Sequence, residues 1–173
     1  MKKFFAALTV IVLLLIGNVS HAAEKVPALT DIDAENFYRN LGYEVDCSYW
    51  DRTRDGRLLF EAMIPEDPLV IAKDFGNVEV YTDKKWRIVE LRLYMRKVKD
   101  TAALTATVAK AIKALDADTF NANQAAIEQG ILQFISTPQL PDDGTLTVTA
   151  NKKFALHKEE MRGRILAVYI TAI

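Results

Sequence analysis

The hydrophobic residues of this chain follow two periods, and the change between them divides the sequence into predicted strands and helices. Alternation of apolar and polar residues, which is typical of a strand with one buried face, runs through 43–50, 57–64, 78–82, 86–97 and 145–149. Residues 163–173 predict a further strand that is apolar on both faces, and therefore central in a sheet or covered by helices. The alternation of 145–149 can be continued to Leu156, so this segment is either one long strand or two strands broken at 151–153.

Three other segments repeat apolar residues every three or four positions, as an amphipathic helix does. They are 34–41, ended by Gly42; a helix capped by Asp100 or Thr101; and a helix that starts at Asp118 or Thr119 and ends before Pro138. The predicted order is α-β-β-β-β-α-α-β-β. Segregated strands and helices predict an α+β fold with a mainly antiparallel sheet of about six strands and two or three helices on one face.

Short polar stretches between these segments predict the turns. Asp55-Gly56, which closes the polar stretch 51–56, is a strong hairpin signal, and 83–85 predicts a second tight turn. Residues 141–144 read Pro-Asp-Asp-Gly and predict a turn before the last strands. Two prolines and Gly76 predict a loop over 65–77.

The first residues have the pattern of an export signal. Lys2 and Lys3 precede an uncharged, mostly apolar stretch over 4–17, and small residues follow at the positions that signal peptidase requires. We expect cleavage after Ala22, or alternatively after Ala23, so that 1–22 is a signal peptide and 23–173 a single globular domain. An uncleaved anchor is the alternative, but the apolar run is shorter than the ~20 residues of a membrane span.

The expected location follows from this leader. Residues 1–46 contain no cysteine for lipid attachment, so we expect a product without stable membrane insertion after cleavage. The periplasm is the preferred compartment and secretion the alternative.

Composition and charge exclude several classes of protein. The 22 Lys and Arg residues nearly balance 23 Asp and Glu, for a net charge of −1, and 50% of the residues are hydrophobic. This excludes a disordered tail, a collagen-like repeat, a disulfide scaffold and a polycationic nucleic-acid binder. Nucleic acid is therefore not an expected partner.

Cysteine and histidine are too scarce for most metal or nucleophile chemistry. We interpret Cys47, the only cysteine, as a buried structural residue, with a reactive thiol or an intermolecular disulfide as alternatives. His157 is the only histidine beyond the leader. A Cys47–His157 nucleophile pair has little support, because Cys47 is predicted on an apolar strand face and His157 on a polar one. Two such residues do not make a zinc site, so neither metal nor cofactor is expected. The oligomeric state is left open.

The stretch 51–56 is similar to the first half of a calcium loop, with oxygens at alternate positions and Gly56 at the sixth. The twelfth position, which should be a bidentate Glu, is Ala62. The hairpin turn is the preferred interpretation.

An enzymatic function has little support from motifs. Glu44 and Asp46 project from one face of a predicted strand and could act together in glycoside hydrolysis, although a solvated sheet face is the preferred interpretation. The chain has no GxxxxGK[ST], GxGxxG, GxSxG or HExxH motif. We therefore lean towards a protein that is not an enzyme.

The most informative pattern is the polar side of the strand predicted over 86–97. Trp86, Ile88, Glu90, Arg92, Tyr94 and Arg96 should share this side, and Glu79 and Tyr81 of the preceding strand should join them. Arginine and aromatic residues interleaved on a rigid sheet are typical of a protein-contact surface. The residues assigned to this face are Tyr81, Trp86, Arg92, Tyr94 and Arg96. The alternative is a cross-strand Glu–Arg ladder that solubilises the sheet.

Three function classes follow from these patterns. The preferred one is a non-enzymatic interaction or inhibitor-type binding module whose partner is an envelope protein or another exported protein. A carrier of a small apolar ligand is the second, with residues 127–135 and 164–173 lining a closed cavity. A carboxylate-dependent hydrolase is the third.

Overall fold

The computed structural model of the chain describes residues 27–42, 46–63, 77–96, 100–138, 143–161 and 165–173. The side chains at 46–50, 61–63, 77 and 96 lie outside the described part, as do the predicted leader, 1–22, and the predicted loop up to Gly76. The elements in these ranges are α1 (Ala34–Asn40), β1 (Asp46–Arg52), β2 (Leu58–Met63), β3 (Asn77–Thr82), β4 (Ile88–Arg96), α2 (Thr101–Leu115), α3 (Ala117–Ser136), β5 (Asp143–Thr149), β6 (Lys152–Met161) and β7 (Ile165–Ala172).

The seven strands form one antiparallel sheet in the order β1-β2-β3-β4-β7-β6-β5. The predicted α+β class and antiparallel sheet are confirmed, but the sheet has seven strands instead of about six. The extra strand arises because Ala150 and Asn151 form a turn that separates β5 from β6. Asp143 and Gly144, which were predicted to lie in a turn, are the first residues of β5. The apolar strand β7 lies inside the sheet, between β4 and β6.

The hydrophobic core lies between the helices and one face of the sheet. Strand residues at alternate positions form a single buried cluster with apolar residues of the helices. Members that are fully excluded from solvent include Val80, Leu91, Leu93, Val168 and Ile170 of the strands and Val108, Ile127 and Ile131 of the helices. No helix in the described ranges combines the length and the apolar character that a bilayer span requires.

Aspartate side chains begin each helix. The carboxylates of Asp33 and Asp100 accept hydrogen bonds from backbone N–H groups of the first turn of α1 and α2. Asp116 alone joins α2 to α3, and its side chain accepts from the Thr119 N–H at 2.9 Å and from the Lys152 ammonium at 3.1 Å. The third helix therefore starts at Ala117 rather than at Asp118 or Thr119, because the extended backbone of Asp116 interrupts the helical run two residues earlier.

A buried lysine closes the other end of α3. The Lys158 side chain comes from β6 on the helix-covered face, and the residue is 8% exposed. Its ammonium donates to the carbonyl oxygens of Phe134 and Thr137, both at 2.6 Å, and lies 3.4 Å from that of Ile135. A cation at this position satisfies carbonyl groups that have no partner within the helix and complements the helix dipole.

The two hairpins β1–β2 and β3–β4 have turns of the same design, over 53–57 and 83–87. In each, the N–H of the first residue donates to the carbonyl of the fifth, and the fourth residue has positive φ. That residue is Gly56 in the first turn (85°) and Trp86 in the second (65°). Trp86 was predicted to lie in a strand, but the strand starts at Ile88 and Trp86 belongs to the turn, 49% exposed with its ring 5.4 Å from that of Phe60.

A bulge at the start of β4 changes the predicted alternation of its side chains. Tyr81 pairs with Glu90 and Thr82 pairs with Ile88, so β4 has one residue more than β3 at this point. Ile88 was expected on the polar side, but it is fully buried in the core cluster. From Glu90 onward the alternation follows the prediction.

Candidate functional site: the open face of the sheet

The sheet face opposite the helices, here called the open face, contains a row of polar residues that crosses five strands. Glu79 on β3 is opposite Arg92 on β4, and Arg92 is opposite Tyr169 on β7. Tyr169 is in turn opposite His157 on β6, which is opposite Asp143 on β5. These five residues, the polar row, are direct cross-strand neighbours and can interact along the whole width of the sheet from β3 to β5.

Arg92 lies at the centre of this surface, between two aromatic rings. Its guanidinium carbon is 4.3 Å from the ring centroid of Tyr81 and 5.3 Å from that of Tyr169. Both distances are within the range of cation–π attraction. The Arg92 Nε also donates to Glu90 at 2.6 Å, and 27% of the side chain is exposed. The guanidinium is therefore held in one orientation while part of it still meets solvent.

Glu90 connects Arg92 to a second arginine. Its two carboxylate oxygens accept hydrogen bonds from Arg92 and from Arg57, and its side chain is 11% exposed. Arg57 belongs to the first hairpin turn, where it also pairs with Asp55 at 2.7 Å, and its guanidinium lies 4.8 Å from the Tyr81 ring. Two arginines and one nearly buried carboxylate thus surround the same tyrosine ring.

Glu79 binds the hydroxyl groups of two tyrosines. Its Oε2 accepts from the Tyr81 hydroxyl at 2.8 Å and from the Tyr94 hydroxyl at 3.2 Å. Burial raises the pKa of Tyr81 well above its ordinary value of 10.0, and the hydrogen bond to Glu79 raises it further. The pKa of Tyr94 is raised first by burial and then by the charge of Glu79. Both hydroxyls remain protonated at neutral pH and act as hydrogen-bond donors.

The far end of the polar row repeats the pairing of tyrosine with carboxylate. The Tyr169 hydroxyl donates to Glu159 at 2.8 Å, and burial followed by this hydrogen bond raises the pKa of Tyr169. The His157 Nδ1 lies 2.5 Å from an Asp143 carboxylate oxygen, and its ring is 5.4 Å from the Tyr169 ring. His157 and Asp143 are exposed, so this end of the row is the part most open to solvent.

Burial lowers the pKa of Arg92, but its hydrogen bond and charge attraction to Glu90 outweigh this effect, and the pKa ends above the ordinary value of arginine. The centre of the open face therefore presents a permanent cation and protonated phenols. Such groups can donate hydrogen bonds and stack with a partner's side chains, but they do not act as bases at neutral pH.

The structure brings three of the five residues assigned to the interaction face into contact. Tyr81, Arg92 and Tyr94 lie together around Glu79 and Glu90. Trp86 is separated from them, because its turn directs the ring towards Phe60, a core residue of β2 on the helix-covered face. The backbone of Arg96 pairs with Ile165 at the end of β4, and its side chain lies outside the described part.

Several residues of this surface were missed by the sequence analysis, most clearly Tyr169, Glu159 and Arg57. The signal for Tyr169 was present, since it is the only residue with a hydrogen-bonding side chain between Ile165 and Ile170. Its position next to Arg92 depends on the pairing of β4 with β7, which joins residues far apart in sequence. Local alternation carries no information about that pairing.

The nucleophile pair that was considered in the sequence is too far apart to operate. Cys47 is on β1 and His157 on β6, and four strands lie between them. At ~4.8 Å per strand step their backbones are separated by roughly 24 Å. Of the candidate carboxylate pair, Glu44 and the side chain of Asp46 lie outside the described part. No group of three metal-ligating side chains is found among the described residues.

Among the residues expected to line a cavity for an apolar ligand, Ile127, Ile131 and Ile170 are fully buried in the core cluster. Two pockets on the described part are open to solvent. One, of about 260 Å³, lies between the end of α3 and the start of β5 and includes Lys158. The other, of about 450 Å³, lies between residues 27–32 and the ends of β6 and β7. Neither provides specific support for a carrier.

Comparison with known proteins adds no further indication of function. No protein-family profile, curated protein or solved structure matches this chain significantly. The open face and its chemistry are therefore the basis for a functional conclusion.

Proposed function

We propose that this protein is an exported, non-enzymatic binding module and that its open face contacts a protein partner with a basic surface patch. The observation that carries the proposal is the arrangement of Arg92 between the rings of Tyr81 and Tyr169, partly exposed on a rigid sheet. Arginine and tyrosine dominate the energetics of protein interfaces. Because these side chains are already ordered by their neighbours, they would lose little conformational entropy when a partner binds.

The charge of the open face supports a basic partner. Its described acidic side chains outnumber the basic ones: the acids are Asp51, Glu79, Glu90, Asp143 and Glu159, and the bases are Arg57, Arg92 and Lys153. Both arginines pair with Glu90. The acids near the exposed end, such as Glu159, would remain available to attract lysine or arginine from a partner.

A solvated Glu–Arg ladder is the alternative interpretation of the same residues. The two interpretations differ in whether the open face binds a partner, because a ladder that only solubilises the sheet makes no contact with another protein. Variants of the open face that keep the fold must therefore alter binding under the proposal and leave it unchanged under the alternative.

The experiment is an affinity capture from the cell envelope with the protein expressed from its full sequence. The open-face variant carries Tyr94→Ser and Glu159→Lys, and the matched control carries Glu35→Lys, an exposed charge reversal on α1. Circular dichroism checks that each variant is folded. We expect the same protein to be captured by the wild type and the control, to be lost from the open-face variant, and to dissociate as salt is raised. Equal capture by all three proteins would refute the proposal.

Export itself is tested by N-terminal sequencing of the protein purified from the envelope. The proposal expects a first residue at Ala23 or Glu24. Recovery of intact Met1 in the soluble envelope fraction would contradict it.

A further inference from the structure

The seven-stranded sheet ends at β5, and the outer edge of this strand is suited to pairing with another strand. The stretch 144–149 reads Gly-Thr-Leu-Thr-Val-Thr, with no charge and no proline. Natural edge strands usually carry lysine, proline or other features that prevent pairing with a second chain. The opposite edge, β1, has three charged residues, Asp46, Asp51 and Arg52, whereas β5 has one, Asp143, at its first position. The two edges of the sheet thus differ in the charged residues that oppose pairing, and β5 is the edge better suited to accept a strand.

We propose that β5 pairs with β5 of a second copy of this chain, antiparallel and around a two-fold axis at Thr145. A bulge between Thr147 and Thr149 limits the regular part of β5 to residues 143–147, and Thr145 is its midpoint. Pairing around this residue places Thr145 opposite itself, Gly144 opposite Leu146, and Asp143 opposite Thr147. Every side chain then meets one on the same face of the joined sheet.

Charge complementarity favours a second copy over an unrelated strand. Thr147 is opposite Lys153 within one chain, and both are exposed on the open face. In the proposed register, Asp143 of one chain therefore lies in the same cross-strand row as Thr147 and Lys153 of the other. The two backbones are two strand steps apart, about 10 Å, a span that extended lysine and aspartate side chains cover together. The two-fold axis generates this pair twice.

The joined sheet would have fourteen strands, twice the seven of one chain, with both open faces on the same side. The polar row ends at Asp143, so the rows of the two copies would both reach the interface, offset by four residues along β5, about 14 Å. The dimer would thus present two Arg92 centres on one continuous surface. This inference does not depend on the proposed partner, because the pairing uses only β5 and Lys153.

Cysteine cross-linking tests the register. In a Cys47→Ala background, Thr145→Cys should form an intermolecular disulfide under mild oxidation, because directly opposed residues have Cα atoms ~4.5–5.5 Å apart, within disulfide range. Thr147→Cys is the matched control, since its two copies would be offset by four residues, about 14 Å along the strand. Cross-linking of the control but not of Thr145→Cys, or equal cross-linking of both, would overturn the proposal.

Analytical ultracentrifugation of the protein expressed from its full sequence tests the association. We expect a monomer–dimer equilibrium that Thr145→Lys weakens at least about tenfold, because two like charges then face each other. Ala106→Lys, at an exposed position of α2, should leave it unchanged. Asp143→Lys and Lys153→Asp should each weaken the dimer, and the double variant should restore it. A protein that stays monomeric up to ~1 mM, or a dimer indifferent to all of these changes, would refute the proposal.

Discussion

The guanidinium of Arg92 lies 4.3 Å from the ring centroid of Tyr81, and the two residues are diagonal neighbours on adjacent strands. Tyr81 is 5% exposed although it is on the face without helices. It is covered by the two arginines that stack on its ring and by their shared partner, Glu90. The open face thus has a small packed layer of its own, formed from charged and aromatic side chains.

Replacing Arg92 should measurably destabilise the fold. Arg92→Met removes one of the two arginines that pair with Glu90, whose side chain is 11% exposed, and it removes the stacking on two rings. We expect the free energy of unfolding to fall by about 1–3 kcal/mol, as is usual when a mostly buried charge loses a partner. Arg54→Met, in the exposed part of the first hairpin turn, should change it by less than ~0.5 kcal/mol. Urea denaturation measures both, and equal losses would contradict the role assigned to Arg92.

The positive φ of Trp86 predicts an unusual order of stability among its variants. At this backbone conformation a side chain with Cβ is strained by ~1 kcal/mol relative to glycine. Because both Trp86→Gly and Trp86→Ala lose the contact with Phe60, the glycine variant should be more stable than the alanine variant by about that amount. At Lys85, which does not have positive φ, alanine should be at least as stable as glycine. Thermal unfolding of the four variants distinguishes the cases, and a less stable Trp86→Gly would show that the turn is not strained.

Lys158 should stabilise the end of α3. Its ammonium is mostly buried and binds carbonyl groups of the last turn, so Lys158→Met should cost about 1.5–3 kcal/mol, the range for hydrogen bonds to charged groups. Amide hydrogen exchange should become faster at the last turn of α3 than at its start. Lys84→Met, in an exposed turn, is the control and should change stability by less than ~0.5 kcal/mol. Unchanged exchange at the last turn would argue against the cap.

Asp116 predicts part of the acid sensitivity of the fold. Burial opposes its ionisation, but hydrogen bonds from Thr119 and the interaction with Lys152 outweigh this and lower the pKa of Asp116 below 3.8. A carboxylate whose pKa is lower in the folded state adds stability above its unfolded pKa, and this stability is lost as the pH falls through the folded value. Asp116→Asn, which keeps a capping side chain, should therefore have a lower free energy of unfolding than the wild type at pH 7. When the pH is lowered below ~4, the free energy of unfolding of the variant should fall less than that of the wild type.

The measurement for Asp116 is the free energy of unfolding from pH 7 down to pH ~2. Lys152→Met removes the charge partner and should flatten the same acid limb. If the acid limbs of both variants were as steep as that of the wild type, the ion pair would not contribute to it.

The sequence predicted the features that depend on neighbouring residues and missed those that depend on distant ones. The α+β class, the alternation of β4 from Glu90 onward and the Asp100 cap follow from local periodicity and capping chemistry, and the structure has them. Ile88 was assigned to the wrong face because a bulge inserts one residue into β4, and Trp86 because it belongs to the preceding turn; alternation alone reveals neither feature. Tyr169 could not be placed beside Arg92, because that contact requires the order in which the strands pair.

The position of β7 has a consequence for how the molecule is assembled. Among the described strands, β1–β4 form one hydrogen-bonded half of the sheet and β5–β6 the other, and β7, which follows both in sequence, pairs with both halves. The two halves of the sheet cannot be joined by strand pairing until the residues after Met161 have been synthesised. Leu91 and Ile170, which pair across β4 and β7, are separated by most of the domain's sequence. Contacts between residues so far apart in sequence form slowly. Until that happens, the inner edges of both halves are accessible, and this is the period in which a chaperone would protect the chain most effectively.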